Sequence, residues 1–137
     1  MKIASQHKRK TSDAKIVFSE NGRKVVFDNC GRRTFIKIEI DGEVFQKGTP
    51  GRRCDFVLTD DDETNERYVE LKGKDVKHAL EQIEQTIKDF GEDERCRKSY
   101  VVCTKNTVPG FDTLRQRFRK RCKTELVVRT GEYTETI

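Results

Sequence analysis

The chain of 137 residues is long enough for one domain with a genuine core and too short for two. Charged residues (39%) outnumber hydrophobic ones (33%), and the formal net charge of +5 favours anionic partners. No apolar run is long enough to span a membrane, and no basic-then-apolar leader of a secretory signal is present. Five scattered cysteines (Cys30, Cys54, Cys96, Cys103, Cys122) form no CxxC pair, and only His7 and His78 are available to join them. Reduced thiols in a cytoplasmic protein are therefore expected rather than a disulfide scaffold or a zinc site.

In chain order, residues 1–12 are a basic lead-in with Lys2, His7, Lys8, Arg9 and Lys10, expected to be flexible; a phosphate-touching arm is the alternative. Lys15 to Phe18 and Lys24 to Phe27 flank Asn21-Gly22, a strong hairpin signal. A strand follows from Thr34 to Ile40, with Ile36, Ile38 and Ile40 alternating with Lys37 and Glu39. Asp41-Gly42 turns the chain toward Val44-Phe45, and Gln46 to Arg53 is a loop with Gly48, Pro50 and Gly51. Cys54 to Leu58 and Arg67 to Lys72 read as two strands joined by a polar turn from Asp60 to Glu66.

Asp75 then caps a helix whose stripe is Val76, Ala79, Leu80, Ile83, Ile87 and Phe90, stopped by Gly91. Lys98 to Thr104 is an apolar strand, and Thr113 to Cys122 is a second helix led in by Pro109-Gly110. Glu125 to Arg129 is a further strand, and the tail to Ile137 adds a short edge piece. This order predicts a single α/β domain: a mixed sheet flanked by helices, with an N-terminal β-hairpin.

Alternation along the two central strands puts Asp55 with Val57 and Thr59, and Glu70 with Tyr68 and Lys72. A hairpin symmetric about its turn sets Asp55 opposite Glu70. A register slipped by one would bury Glu70 and Lys72 and expose Val69 and Leu71, which the pattern opposes. Opposed carboxylates repel unless something positive lies between them. A divalent cation on hard oxygen ligands answers that, with Mg²⁺ first, and a neighbouring lysine suits metal-assisted phosphodiester hydrolysis. The other reading is a salt-bridged, solvated sheet face.

Asp55, a spacer of fourteen residues and then Glu70-Leu71-Lys72 resemble the PD-(D/E)xK nuclease superfamily, whose fold is restriction-endonuclease-like. The likeness in element order runs from Thr34 to Val128. It implies that Asp55 and Glu70 hold Mg²⁺ (or Mn²⁺), that the Leu71 carbonyl completes the protein ligands, and that Lys72 assists the attacking water. It also implies a glutamine on the following helix, for which Gln82 is the match, although Gln82 equally reads as an ordinary polar flank. Cys54 stands where the family usually has proline, and no upstream helix offers the family's extra glutamate. Asp41 or Glu43 is the substitute to consider, while His78 reads as a surface residue and not the base.

The second helix carries Arg115, Arg117, Arg119, Lys120, Arg121 and Lys123 around a buried side of Phe111, Leu114 and Phe118, with only Asp112 opposing them. A basic surface helix without a partner is one reading; neutralising a nucleic-acid backbone is the other. Together the features suggest a small metal-dependent nuclease acting on DNA in preference to RNA, in bacterial or phage defence or in DNA repair. The alternative is a catalytically silent protein of the same fold, serving a larger complex or a homo-oligomer. A more distant one is an interaction module for an acidic protein.

Overall fold

The structure, a computed structural model, describes residues 1–71, 75–104 and 111–137. Lys72, the lysine of the expected triad, and the Pro109-Gly110 lead-in lie outside the described residues. The elements are β1 (Arg9–Thr11), β2 (Lys15–Glu20), β3 (Arg23–Asp28), β4 (Phe35–Glu39), β5 (Phe56–Asp60), β6 (Asn65–Glu70), α1 (Val76–Phe90), β7 (Cys96–Cys103), α2 (Phe111–Cys122), β8 (Glu125–Thr130) and β9 (Glu132–Thr136). The protein is mixed α/β, as expected, but with two sheets in place of one. A six-stranded sheet runs β1-β4-β5-β6-β7-β8, and a three-stranded sheet runs β2-β3-β9.

The large sheet is antiparallel from β1 to β6 and parallel from β6 to β8. Each parallel step needs a long crossover, and α1 and α2 supply them. Both helices pack on one face, where Ile36, Ile38, Val57, Tyr68, Val101 and Val128 meet Leu80, Ile83 and Phe118. The opposite face, with Phe35, Leu58, Val69, Leu71, Tyr100 and Val102, is covered by Ile16, Phe18, Val25 and Phe27 of the small sheet. The alternation expected of Ile36, Ile38 and Ile40 is therefore present. The alternative reading of a solvated face does not hold, because the central strands are buried on both.

The hairpin forms at Asn21-Gly22, whose positive φ angles of 49° and 78° suit a primed two-residue turn. The tail joins it: β9 pairs in parallel with β3, residues Lys24 to Asp28 against Glu132 to Thr136. The basic lead-in is not free. Arg9–Thr11 is an edge strand on β4, and Lys8 reaches Glu63 at 3.0 Å. Ahead of β4 the described residues hold one helical turn, Ser5–His7, so no upstream helix is seen among them. Val44-Phe45 forms no strand; Phe45 makes an isolated bridge to Asp41. The turn after β5 is shorter than expected, since Asn65 and Glu66 already belong to β6.

Helix α1 begins where Asp75 accepts from the His78 amide at 3.2 Å. It ends at Gly91, where a Cβ would lie 2.7 Å from the Ile87 carbonyl and 3.0 Å from the Tyr68 hydroxyl. Among the described residues no helix is long and apolar enough to cross a membrane.

Candidate active site

Phe56 pairs with Val69 and Val57 with Tyr68 in the β5–β6 ladder. One more step of that register sets Asp55 opposite Glu70, as the alternation predicts. Both lie on the helix-covered face, and both are buried, Asp55 to 1% exposure and Glu70 to 0%. The solvated-face reading of this pair is thereby overturned. What the sequence pattern missed was the cover: α1 lies over the carboxyl end of β6, so polar residues on that face are enclosed.

Several contacts fix Asp55. Its main-chain carbonyl accepts from the Ile40 amide at 2.9 Å and the Asp41 amide at 3.3 Å. Its Oδ2 accepts from the Leu71 amide at 2.8 Å, tying the aspartate to the strand that carries Glu70. One residue earlier, the Cys54 amide donates to Thr86 Oγ1 at 2.8 Å, and that hydroxyl donates to the Gln82 carbonyl at 2.9 Å. Thr86 thus clamps α1 onto the start of β5. Its only sequence signal was its place three residues after Ile83 on the apolar stripe.

Charge at this corner registers on Cys54. Burial pushes its thiol well above the ordinary range, and the nearby charge of Glu70 pushes it further. Cys54 is accordingly a buried, protonated thiol and not a nucleophile.

Gln82 is buried to 9% exposure on the same face of α1, not on a solvated flank. Its Oε1 is enclosed with no hydrogen-bond partner among the described residues. A buried amide oxygen left unsatisfied costs about 1–3 kcal/mol. Gln82 therefore sits beside the β5–α1 clamp as a polar group that packing alone does not explain.

The third expected protein ligand is otherwise engaged. The Leu71 carbonyl accepts from Arg23 Nε, and Arg23 Nη1 donates to Thr104 Oγ1 at 2.9 Å. Asp41 pairs with Arg53 at 3.4 Å, and Glu43 pairs with Arg9, so neither turn acid is placed as an extra ligand by the contacts seen. His78 is exposed, as expected. Among the described residues no group of three or more His, Cys, Asp or Glu side chains could hold a metal. Two hard carboxylates on facing strands nonetheless fit Mg²⁺, which commonly takes one or two carboxylates and leaves its other positions to water and phosphate.

The basic residues of α2 divide. Arg115 donates to the Leu126 carbonyl at 2.9 Å, covering the open edge of β8. Arg121 forms a two-pronged pair with Glu84 of α1 at 2.7 and 2.8 Å. Arg117, Arg119, Lys120 and Lys123 are exposed. The helix connects β7 to β8, the edge strand of the large sheet.

Set against protein-family models, curated proteins and solved structures, the chain matches none.

Proposed function

We propose that the chain is a small Mg²⁺-dependent nuclease of restriction-endonuclease-like fold, with Asp55 and Glu70 holding the cation. The observation that carries this is the pair itself: two carboxylates, fully buried, each one step beyond the last residues paired between β5 and β6. Their place supports it, since ligand sites of open α/β sheets gather at the carboxyl ends of parallel strands. A cation bound there supplies Lewis acidity toward a phosphoryl oxygen and a more acidic water. On this reading Lys72, two residues beyond Glu70, stabilises charge on the attacked phosphate, and Gln82 offers its buried amide to water or substrate. Arg117, Arg119, Lys120 and Lys123 neutralise the backbone of the nucleic acid, DNA in preference to RNA.

The depth of the pair favours a second reading, a catalytically silent protein of this fold that binds nucleic acid as part of a larger assembly. Metal binding separates the two. Mn²⁺ or Mg²⁺ is expected to raise the melting temperature of the parent, because a ligand of the folded state stabilises it by mass action. Asp55→Asn should abolish that rise. A parent whose melting temperature ignores both metals leaves the silent reading standing.

A further inference from the structure

Arg23 is the first residue of β3, immediately after the Asn21-Gly22 turn. It is half-buried, and two hydrogen bonds fix its guanidinium across the ends of β6 and β7, at Leu71 and Thr104. Of the other guanidinia fixed by bonds to the fold, buried Arg53 and half-buried Arg67 and Arg97 face Asp41, Asp60 and Glu66, while half-buried Arg115 bonds a main-chain carbonyl at the sheet's edge. Arg23 makes no ion pair among the described residues: Glu20, across the hairpin from it, is taken by Lys47. A guanidinium has five N–H donors, and the two bonds leave three unspent. The Leu71 residue that Arg23 grips is the one whose amide binds Asp55 and that follows Glu70 in the chain, so one peptide unit links the guanidinium to the carboxylate pair.

Holding a strand end needs no charge, and an amide or hydroxyl side chain serves for that. A fixed fork with unspent donors and no acid partner suits a phosphate, which arginine takes through two parallel hydrogen bonds. We propose that Arg23 binds a backbone phosphate of the nucleic-acid strand that reaches Asp55 and Glu70, a placement that rests on the nuclease reading of that pair. The small sheet then does more than cover the core. Its hairpin turn supplies one wall of the substrate path.

The test uses the full chain carrying Asp55→Asn, so that no substrate is cut, and a duplex oligonucleotide titrated over a range of salt. Arg23→Gln is expected to weaken binding about tenfold and to flatten the slope of log K against log salt by about 0.9, one phosphate contact. Arg23→Lys keeps the charge and loses the fork. It should retain the slope while binding about threefold more weakly. A lower melting temperature for Arg23→Gln with slope and affinity unchanged makes Arg23 a strut between the sheets and overturns the proposal. Should Arg23→Gln fail to fold, Arg23→Lys decides alone, and parental affinity in it is the overturning result. The metal-induced rise in melting temperature, measured with Asp55 intact, reads the nuclease assignment separately. A flattened slope without that rise keeps the phosphate contact and removes the metal.

Discussion

Strand β6 carries two buried glutamates on one face, four residues apart, and they have opposite surroundings. Glu66, fully buried, accepts from Arg97 Nε at 3.0 Å, from the Tyr68 hydroxyl at 2.9 Å and from the Glu92 amide at 3.1 Å. One carboxylate there meets one guanidinium and two further donors. At the other end Glu70 is buried together with Asp55, whose Oδ2 accepts from the Leu71 amide. Burial alone therefore does not mark a functional carboxylate. Position separates the two: Glu66 is held by three donors inside the fold, and Glu70 lies at the carboxyl end of β6 beside a second buried acid.

The largest effect that breaks or sharpens this contrast is expected at the strut. Glu66→Gln leaves Arg97 charged in a site where its partner carboxylate was fully buried, and should cost about 3–5 kcal/mol. Glu70→Gln removes a carboxylate from beside another and should cost less than half of that. Urea midpoints of the two variants, at unchanged m, measure the difference. Equal losses make Glu70 a second strut, and the comparison collapses.

The next effect belongs to catalysis. Lys72→Ala should lower cleavage by roughly 10²-fold, the size expected for one charge-stabilising group in a preorganised site. The metal-induced rise in melting temperature should persist, because the carboxylates remain. Single-turnover cleavage with the metal titrated in parallel reads both. Cleavage at the parental rate removes the mechanism from the Asp55–Glu70 end.

Much of this was legible in the sequence, and the reasons are local. Alternation along two short strands, with a polar turn between them, set Asp55 against Glu70, since a period of two and a fixed turn centre leave one register. Asp75 and Gly91 marked the ends of α1 by their own chemistry. The helix α2 was placed from its stripe to within two residues of its start. The misses are contacts made over long separations. Glu66 was assigned to a turn because the polar run hid it, and its partner Arg97 lies on the next strand, 31 residues on. The parallel pairing of β9 with β3 joins segments over a hundred residues apart, beyond any periodicity. Arg23 looked like a turn residue, and its contact with Leu71 spans 48 positions.

A smaller effect is expected along the helices, which differ in charge pattern. The outer face of α1 mixes Lys77, Glu81, Glu84, Lys88 and Asp89, while α2 presents Arg117, Arg119 and Lys120, followed by Lys123, with no acid interleaved. Arg121 is answered by Glu84, so it is the wrong residue to reverse. Arg117→Glu with Lys120→Glu should weaken binding alike for different duplex sequences and flatten the salt slope by roughly two units, about 0.9 per lost phosphate contact. The fold should hold, since exposed substitutions away from caps and core shift stability by about 0.5 kcal/mol. Unchanged binding places the nucleic acid away from α2.

The smallest effect concerns the pair that joins the helices. The hydrogen bonds from Arg121 hold the Glu84 carboxyl below its ordinary range, more than burial raises it, and Lys88 adds to the effect. A carboxyl whose folded pKa lies below its unfolded one binds fewer protons in the native state. Its contribution is then complete above the unfolded value and disappears as the pH falls through the folded one. The window lies at and below the ordinary carboxylate range, and near neutral pH the pair is intact. Because Arg121 is exposed, solvent screening limits the contribution to about 0.5 kcal/mol. Urea midpoints of the parent and Glu84→Gln should therefore differ slightly at pH 7 and converge in acid. A gap that widens as the pH falls instead identifies some other carboxylate as the group that titrates.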